Sequence, residues 1–142
     1  MKVKEVMSTN VISIAPNESA AVAARLLSRF TVGALPVCTK DGRLRGMVTD
    51  RDIVLRCVAA DDDAQTVKVS DIMTRRLLSV DAQESIQNAA ALMARQQVRR
   101  LPVEEEGKLV GMVSLGDVAK LHDYSTEAAE ALGEISMNTK KL

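Results

Sequence analysis

Apolar and polar positions follow one another in the same order twice along this chain. Val11 to Ile14 and Leu77 to Val80 are short apolar runs of strand composition, each followed by a polar break. After the first break Ala23, Leu26, Leu27 and Phe30 recur at helical spacing, and after the second Ala89, Leu92, Met93 and Gln96 do so. Both stretches are expected to be helices that bury one face. Pro16-Asn17-Glu18 marks the start of one, and Asp81 with Glu84 marks the other in the pattern of a capping box. Leu35 to Thr39 and Arg45 to Thr49 flank Asp41-Gly42, and Leu101 to Glu104 and Leu109 to Ser114 flank Gly107, which are hairpin signals. The last strands run into Asp50 to Val58 and Leu115 to His122, both helical in pattern. The repeated unit reads β-α-β-β-α.

The repetition extends to single residues. Val3 to Ser8 (VKEVMS) returns as Val69 to Thr74 (VSDIMT), Glu18-Ser19 as Glu84-Ser85, and Leu35-Pro36-Val37 as Leu101-Pro102-Val103. The offset is 66 residues up to the hairpin turn and 65 after it. A first repeat is therefore drawn over 1–59, an acidic small-residue linker over 60–68, a second repeat over 69–124, and a C-terminal helical extension over 125–142. The fold class is α/β (α+β). Neither unit covers its apolar face alone, so the two repeats are expected to pack through their sheets with pseudo-twofold symmetry. In the extension, Ala128, Leu132 and Ile135 lie at helical intervals after a capping Ser125 or Thr126, with Asn138 to Leu142 expected to fray. Two roles for that stripe stay open: it covers the module's own sheet, or it docks on a second subunit.

Composition narrows the function. Nineteen basic and nineteen acidic side chains give a net charge of zero, so no global field draws in nucleic acid or an anionic membrane. Hydrophobic residues make up 46% of the chain and aromatics 1%, with Phe30 and Tyr124 single and no Trp. The platforms that single-stranded nucleic-acid binders stack bases on are missing, which makes that the weakest reading. Lys2 and Lys4 are followed by no apolar run, and nowhere do roughly eighteen uncharged apolar residues occur together. The chain reads as soluble, unexported and cytoplasmic, with no membrane partner. Cys38 and Cys57 fit a reducing compartment. His122, beside Asp123, reads as a surface residue, and with the two cysteines it gives no zinc spacing, so no metal is expected. Glu104-Glu105-Glu106 reads as a solvated hairpin tip. No nucleophile stands with a base and an orienting third group, so the chain is not expected to be an enzyme.

Two heptads carry the chemistry: Gly46-Met47-Val48-Thr49-Asp50-Arg51-Asp52 and Gly111-Met112-Val113-Ser114-Leu115-Gly116-Asp117. Each places a hydroxyl three residues after a glycine and an aspartate three residues after the hydroxyl, behind Leu-Pro-Val and a hairpin. On these residues the chain, over about 3–122, resembles a stand-alone pair of CBS domains, the Bateman module. The resemblance implies a regulatory, energy-sensing type of module that binds an adenosyl compound (AMP, ADP, ATP or S-adenosylmethionine) in clefts between the repeats. It implies no obligatory cofactor, a homodimer, and output through a conformational or dimer change or a regulated partner protein.

The residue types suit that ligand. Thr49 and Ser114 can donate and accept, and Asp52 and Asp117 each have two oxygens to accept the hydroxyls of a ribose cis-diol. Gly46 and Gly111 let backbone approach a planar base, and the adjacent helix N-termini suit phosphate. The same Thr49/Asp52 and Ser114/Asp117 pairs also read as helix caps, hydroxyl at N-cap and carboxylate at N3. By composition Met47 and Met112 fill core; the resemblance places them along the base pocket. Arg99-Arg100 stand where the first repeat has Gly33-Ala34. The resemblance gives them nucleotide phosphates, whereas by themselves they read as a surface pair answering Glu104 to Glu106. Either way the two clefts are not equivalent. The competing class is a structural interaction module with empty clefts. The faces Leu26/Phe30 and Leu92/Met93, with Val54 and Val118, are expected to join two chains into a flat dimer.

Overall fold

A computed structural model describes residues 1–75, 78–121 and 125–140; His122, Asp123 and Tyr124, like Leu77, lie outside them. The chain is mixed α/β, and it forms two compact units, one of residues 12–77 and one of 1–11 with 78–142. These spatial units differ from the repeats drawn along the sequence, because each repeat's opening segment packs on the body of the other.

The unit of residues 12–77 contains α1 (Ala20–Phe30), the antiparallel strands β1 (Ala34–Cys38) and β2 (Leu44–Thr49), α2 (Asp50–Ile53) running on as a π-helix over Val54–Val58, and α3 (Val69–Ile72). The other unit contains a 3-10 turn (Val3–Glu5), β3 (Val80–Asp81), α4 (Ile86–Gln96), β4 (Arg100–Glu105), β5 (Lys108–Ser114), α5 (Leu115–Ala119) and α6 (Ser125–Lys140). Its sheet has the order β3-β4-β5, with β3 parallel to β4 and β4 antiparallel to β5.

The exchange of openers is visible residue by residue. Val3, fully buried, donates its amide to Glu84 O at 2.8 Å, and Val69, equally buried, donates to Glu18 O at 2.8 Å. Ser8 bridges to Met112 and Thr74 to Met47, so each opener forms an edge beside a hairpin strand. Residues 60–68 are likewise integrated in their unit: Asp62 donates to Cys57 O, and Ala64 and Val67 carbonyls accept from Ala21 and Ala20 at the start of α1.

The expected first strand, Val11 to Ile14, is reduced to a single bridge of Ile14 to Val37, whereas its counterpart holds two residues, Val80 and Asp81. Pro16 explains the difference. In the second repeat Ala82 N donates to Glu104 O at 2.9 Å, extending the ladder; Pro16 occupies the equivalent place and has no N–H. The helix starts also sit later than the sequence signals suggest. Ser19 and Ser85 are the N-caps, accepting from Val22 N (3.2 Å) and Asn88 N (3.1 Å), while Asp81 instead accepts from Gln83 N.

Each body has its own core. Leu35, Val37, Val48, Cys57, Val69 and Ile72 centre one, and Val3, Ile86, Met93, Leu101, Val103 and Val113 the other. Cys38 and Cys57 are both buried and are not joined in a disulfide. Phe30, expected on a buried helical face, is 43% exposed. Met93 and Val118, expected on an intermolecular face, are fully buried in their own unit, and Leu92 packs partly buried against the same core. In the extension α6 lies on the helices α4 and α5 and not on a sheet, with Ala128, Ala131 and Ile135 in the core and Leu132, expected on the same stripe, 43% exposed. It is helical to Lys140 and so longer than the expected stretch ending before Asn138. Glu106 and Gly107, both at positive φ, make the hairpin tip, while Glu104 lies within β4 and accepts from Ser79 Oγ.

Candidate ligand-binding site

Both hydroxyl-carboxylate pairs form at a strand-to-helix junction, one in each unit. Thr49 is the N-cap of α2: its Oγ1 accepts from Asp52 N at 3.0 Å, and Thr49 N donates to Asp52 Oδ2 at 3.0 Å. Ser114 repeats the arrangement at α5, accepting from Asp117 N at 3.1 Å and donating its own amide to Asp117 Oδ2 at 3.0 Å. Each pair is a complete capping box, which satisfies two backbone donors that the helix start leaves orphaned. The capping reading of these residues is therefore realised, and it leaves each carboxylate with one oxygen outside the box.

That second oxygen is where the junctions diverge. Asp52 is buried, 8% exposed, and receives Thr74 Oγ1 at 3.4 Å and 3.5 Å to its two oxygens. Arg56 Nε lies 4.0 Å from Asp52 Oδ1, while its Nη1 donates to the carbonyls of Ile72 (3.2 Å) and Met73 (3.3 Å). Asp117 is half-buried, and the position equivalent to Arg56 is Leu121, packed against the core. The sequence reading missed Arg56 and Thr74. An aspartate four residues before an arginine on one helix was the available signal, but the partnership with Thr74 depends on where the opener of the second repeat packs.

The arginine pair sits beside the second junction. Arg100 pairs with Ser114 across β4 and β5, and Arg99 O accepts from Leu115 N at 2.9 Å; both side chains are exposed. In the first repeat the same places hold Ala34, paired with Thr49, and Gly33, whose carbonyl accepts from Asp50 N. Among the described residues the ion pairs are Arg43–Asp41 and Arg56–Asp52, so Arg99 and Arg100 are not engaged by Glu104 to Glu106.

Gly46 and Gly111 are crowded by the chain itself. A Cβ on Gly46 would lie 2.5 Å from Thr74 O, and one on Gly111 would lie 2.6 Å from Met7 Sδ and 2.8 Å from Ser8 O. The close approach these glycines permit is that of the exchanged openers. Met47 and Met112, half-buried, are the residues that bridge to those openers.

A helix, a hairpin and a second helix present twice, with the same hydroxyl-carboxylate junction in each copy, define a tandem-repeat module. The profile of the CBS domain matches residues 3–59 and 69–123, and the chain belongs to that family. It is 43% identical over 134 residues to the CBS domain-containing protein YhcV of Bacillus subtilis, covering 94% of each chain. It is 38% identical over 82% of each chain to Hypoxic response protein 1 of Mycobacterium tuberculosis. A crystal structure of Hypoxic Response Protein I with two coordinated zinc ions has a TM-score of 0.78 and 38% identity, covering 84% of this chain and 98% of that one. The CBS domain pair of protein MJ0100, in complex with methylthioadenosine and S-adenosyl-L-methionine, has a TM-score of 0.73 at 26% identity, covering 87% and 96%. Among the described residues of this chain no group of His, Cys, Asp and Glu is arranged to hold a metal ion, and no helix is long and apolar enough to cross a membrane.

Proposed function

We propose that the chain is a cytoplasmic, non-enzymatic sensor of an adenosine phosphate or S-adenosylmethionine-type ligand, and that the Ser114/Asp117 junction is its principal contact. The observation that carries this reading is the β4–β5 register, which sets Arg100 opposite Ser114 beside a half-buried Asp117. In this reading Asp117 accepts ribose hydroxyls, Ser114 bonds the ribose or phosphate end, and Arg99 and Arg100 meet phosphate through their forked donors. Met112 flanks the base, and Thr49, Asp52 and Met47 serve a second, weaker cleft whose carboxylate already has protein partners, while Gly46 and Gly111, covered by the openers, make room for these and not for the base. The adenosyl compounds bound by the MJ0100 pair support the ligand class. Output passes through a homodimer, for which the exposed Val54, Leu55 and Val58 are the supporting apolar surface. A ligand shifts such an equilibrium only through its differential affinity for two states.

A thermal-shift panel of adenine nucleotides, NAD and S-adenosylmethionine tests the reading. A ligand at a hundred times its Kd stabilises by about 2.7 kcal/mol. Asp117→Ala is expected to weaken nucleoside and nucleotide alike by about 1.5–3 kcal/mol, whereas Arg100→Ala weakens the nucleotide and spares the nucleoside. No shift with any compound would favour the second reading, a structural module; the two completed capping boxes, satisfied without a ligand, are the observation on its side.

A further inference from the structure

The two junctions share a backbone and differ in what stands over the aspartate. In each capping box Oδ2 of the carboxylate accepts from the N-cap amide, which leaves Oδ1 as the acceptor a ligand could use. At Asp52 that oxygen receives Thr74 Oγ1 at 3.4 Å and faces Arg56 Nε at 4.0 Å. In the second repeat the places of Thr74 and Arg56 are taken by Ser8, which is exposed, and by Leu121, which packs against the core.

Of the two groups over Asp52, Arg56 is the one held in place. A threonine hydroxyl turns about its C–O bond and accepts as readily as it donates, so Thr74 can yield to an incoming hydroxyl by rotating. The guanidinium has donors only, and its Nη1 is anchored on the carbonyls of Ile72 at 3.2 Å and Met73 at 3.3 Å, at the C-terminal end of α3. A helix end leaves such carbonyls without partners, so the anchor satisfies groups that would otherwise be orphaned. The Arg56 side chain is 55% exposed and that of Asp52 10%, which puts the guanidinium on the solvent side of the carboxylate. It is carried by the π-helix Val54–Val58, whereas α5 of the second repeat ends at Ala119, the equivalent of Val54.

We infer that Arg56 bars the first junction to ligand and is the reason an adenosyl compound selects Ser114/Asp117. The inference rests on the reading above, in which the aspartate accepts ribose hydroxyls. A ribose diol that approaches Asp52 has to displace an anchored guanidinium from Oδ1, and nothing in that guanidinium can accept the diol's protons in exchange. At Asp117 the same approach meets no arginine, because Leu121 turns into the core. One substitution between the copies, Arg56 against Leu121, thus converts one of two equivalent junctions into an internal tie between the first repeat's last helix and the opener of the second. Arg56 is a specificity-determining residue that acts by occupying the acceptor and not by touching the ligand.

Equilibrium dialysis of radiolabelled AMP, ATP and S-adenosylmethionine against the whole chain counts the sites. The wild type is expected to hold one tightly bound molecule per chain, retained in Asp52→Asn. Arg56→Leu copies the second repeat, and Arg56→Gln keeps the surface polar. Each is expected to tighten the first junction about tenfold and so add a second molecule, lost again when Asp52→Asn is combined with it. Asparagine keeps an acceptor for Thr49 N, and circular dichroism melting checks that every variant is folded. A second, Asp52-dependent site in either Arg56 variant supports the inference. One molecule per chain in both overturns it, because Arg56 would then be a structural tie alone. A wild-type site lost in Asp52→Asn overturns it too. Loss of a site in the Arg56 variants would assign Arg56 to the ligand's phosphate and overturn it equally. A wild type that binds none of the three compounds sinks the sensor reading alone; whether an Arg56 variant gains an Asp52-dependent site still decides the role of Arg56.

Discussion

Asp52 and Asp117 hold equivalent places in two copies of one unit and have been put to different uses. Both close a capping box, yet only Asp52 is also tied to Thr74 and approached by Arg56. Asp117 has Leu121 where Asp52 has Arg56, and Arg99 and Arg100 where the other junction has Gly33 and Ala34. Duplication therefore preserved the backbone device, the cap, while the polar groups around it were free to diverge. The carboxylate with fewer protein partners is the one with acceptor capacity left for a ligand.

The comparison can be broken most forcefully at the glycines. Gly46→Ala drives a Cβ into the backbone carbonyl of Thr74, whereas at Gly111 the nearest atom is the flexible Met7 Sδ, with Ser8 O slightly farther. Urea unfolding is expected to show a loss of about 3 kcal/mol for Gly46→Ala and about 2 kcal/mol for Gly111→Ala. Equal losses would mean that the Ser8 carbonyl at 2.8 Å costs as much as the Thr74 carbonyl at 2.5 Å, whatever Met7 does.

Next in size is the carboxylate itself. Asp52→Ala removes the carboxylate half of the capping box, the acceptor of Thr74 Oγ1 and the charge facing Arg56 Nε, so it should cost about 2–3 kcal/mol of stability. Asp117→Ala removes only the carboxylate half of the box, the bond from Ser114 N, and should cost about 1 kcal/mol. A reversed order in denaturant midpoints would contradict the division between a self-satisfied and an open junction.

Smaller effects come from the ends of α1 and α4, where Thr31 and Gln97 both adopt the left-handed conformation that favours glycine. Thr31→Gly is expected to stabilise by about 0.5–1 kcal/mol, since a β-branched residue at φ 53° is strained. Gln97→Gly should gain less, because Gln97 Nε2 donates to Ala94 O at 2.8 Å and that bond is lost. Differential scanning calorimetry on both variants measures the contrast.

The smallest effect is a titration. Glu84 Oε1 accepts from Asn88 Nδ2 at 2.8 Å and from Ser85 N at 3.0 Å, and these bonds, the Asn88 one foremost, hold its carboxyl below the ordinary glutamate value of 4.5. Its contribution to stability is then present above the unfolded pKa and fades as pH falls through the lower folded one. The first repeat has Glu18 and Val22 at the same places, and Val22 has no side-chain donor. Carbon-detected NMR titration should show Glu84 moving back toward 4.5 in Asn88→Ala.

The periodicity of apolar positions, the 66-residue echo and the Thr49/Asp52 and Ser114/Asp117 spacing specified the β-α-β-β-α order, the hairpins and both caps, because these features depend on neighbours within a few residues. Arg99 and Arg100 stood out in the sequence only by the resemblance and by their absence from the first repeat, and it was the β4–β5 register that set Arg100 opposite Ser114. The truncation of the first strand was equally local, written in Pro16. Other features needed the tertiary structure. Val3 and Val69 look like the starts of their own repeats, and only packing showed that each opener completes the other body, which is also why Gly46 and Gly111 must lack a Cβ. The partnership of Thr74 with Asp52, 22 residues apart, and the covering of α4 by α6 beside an uncovered α1 are likewise long-range outcomes. They follow from which apolar surfaces found each other, and a linear pattern lists such surfaces without pairing them.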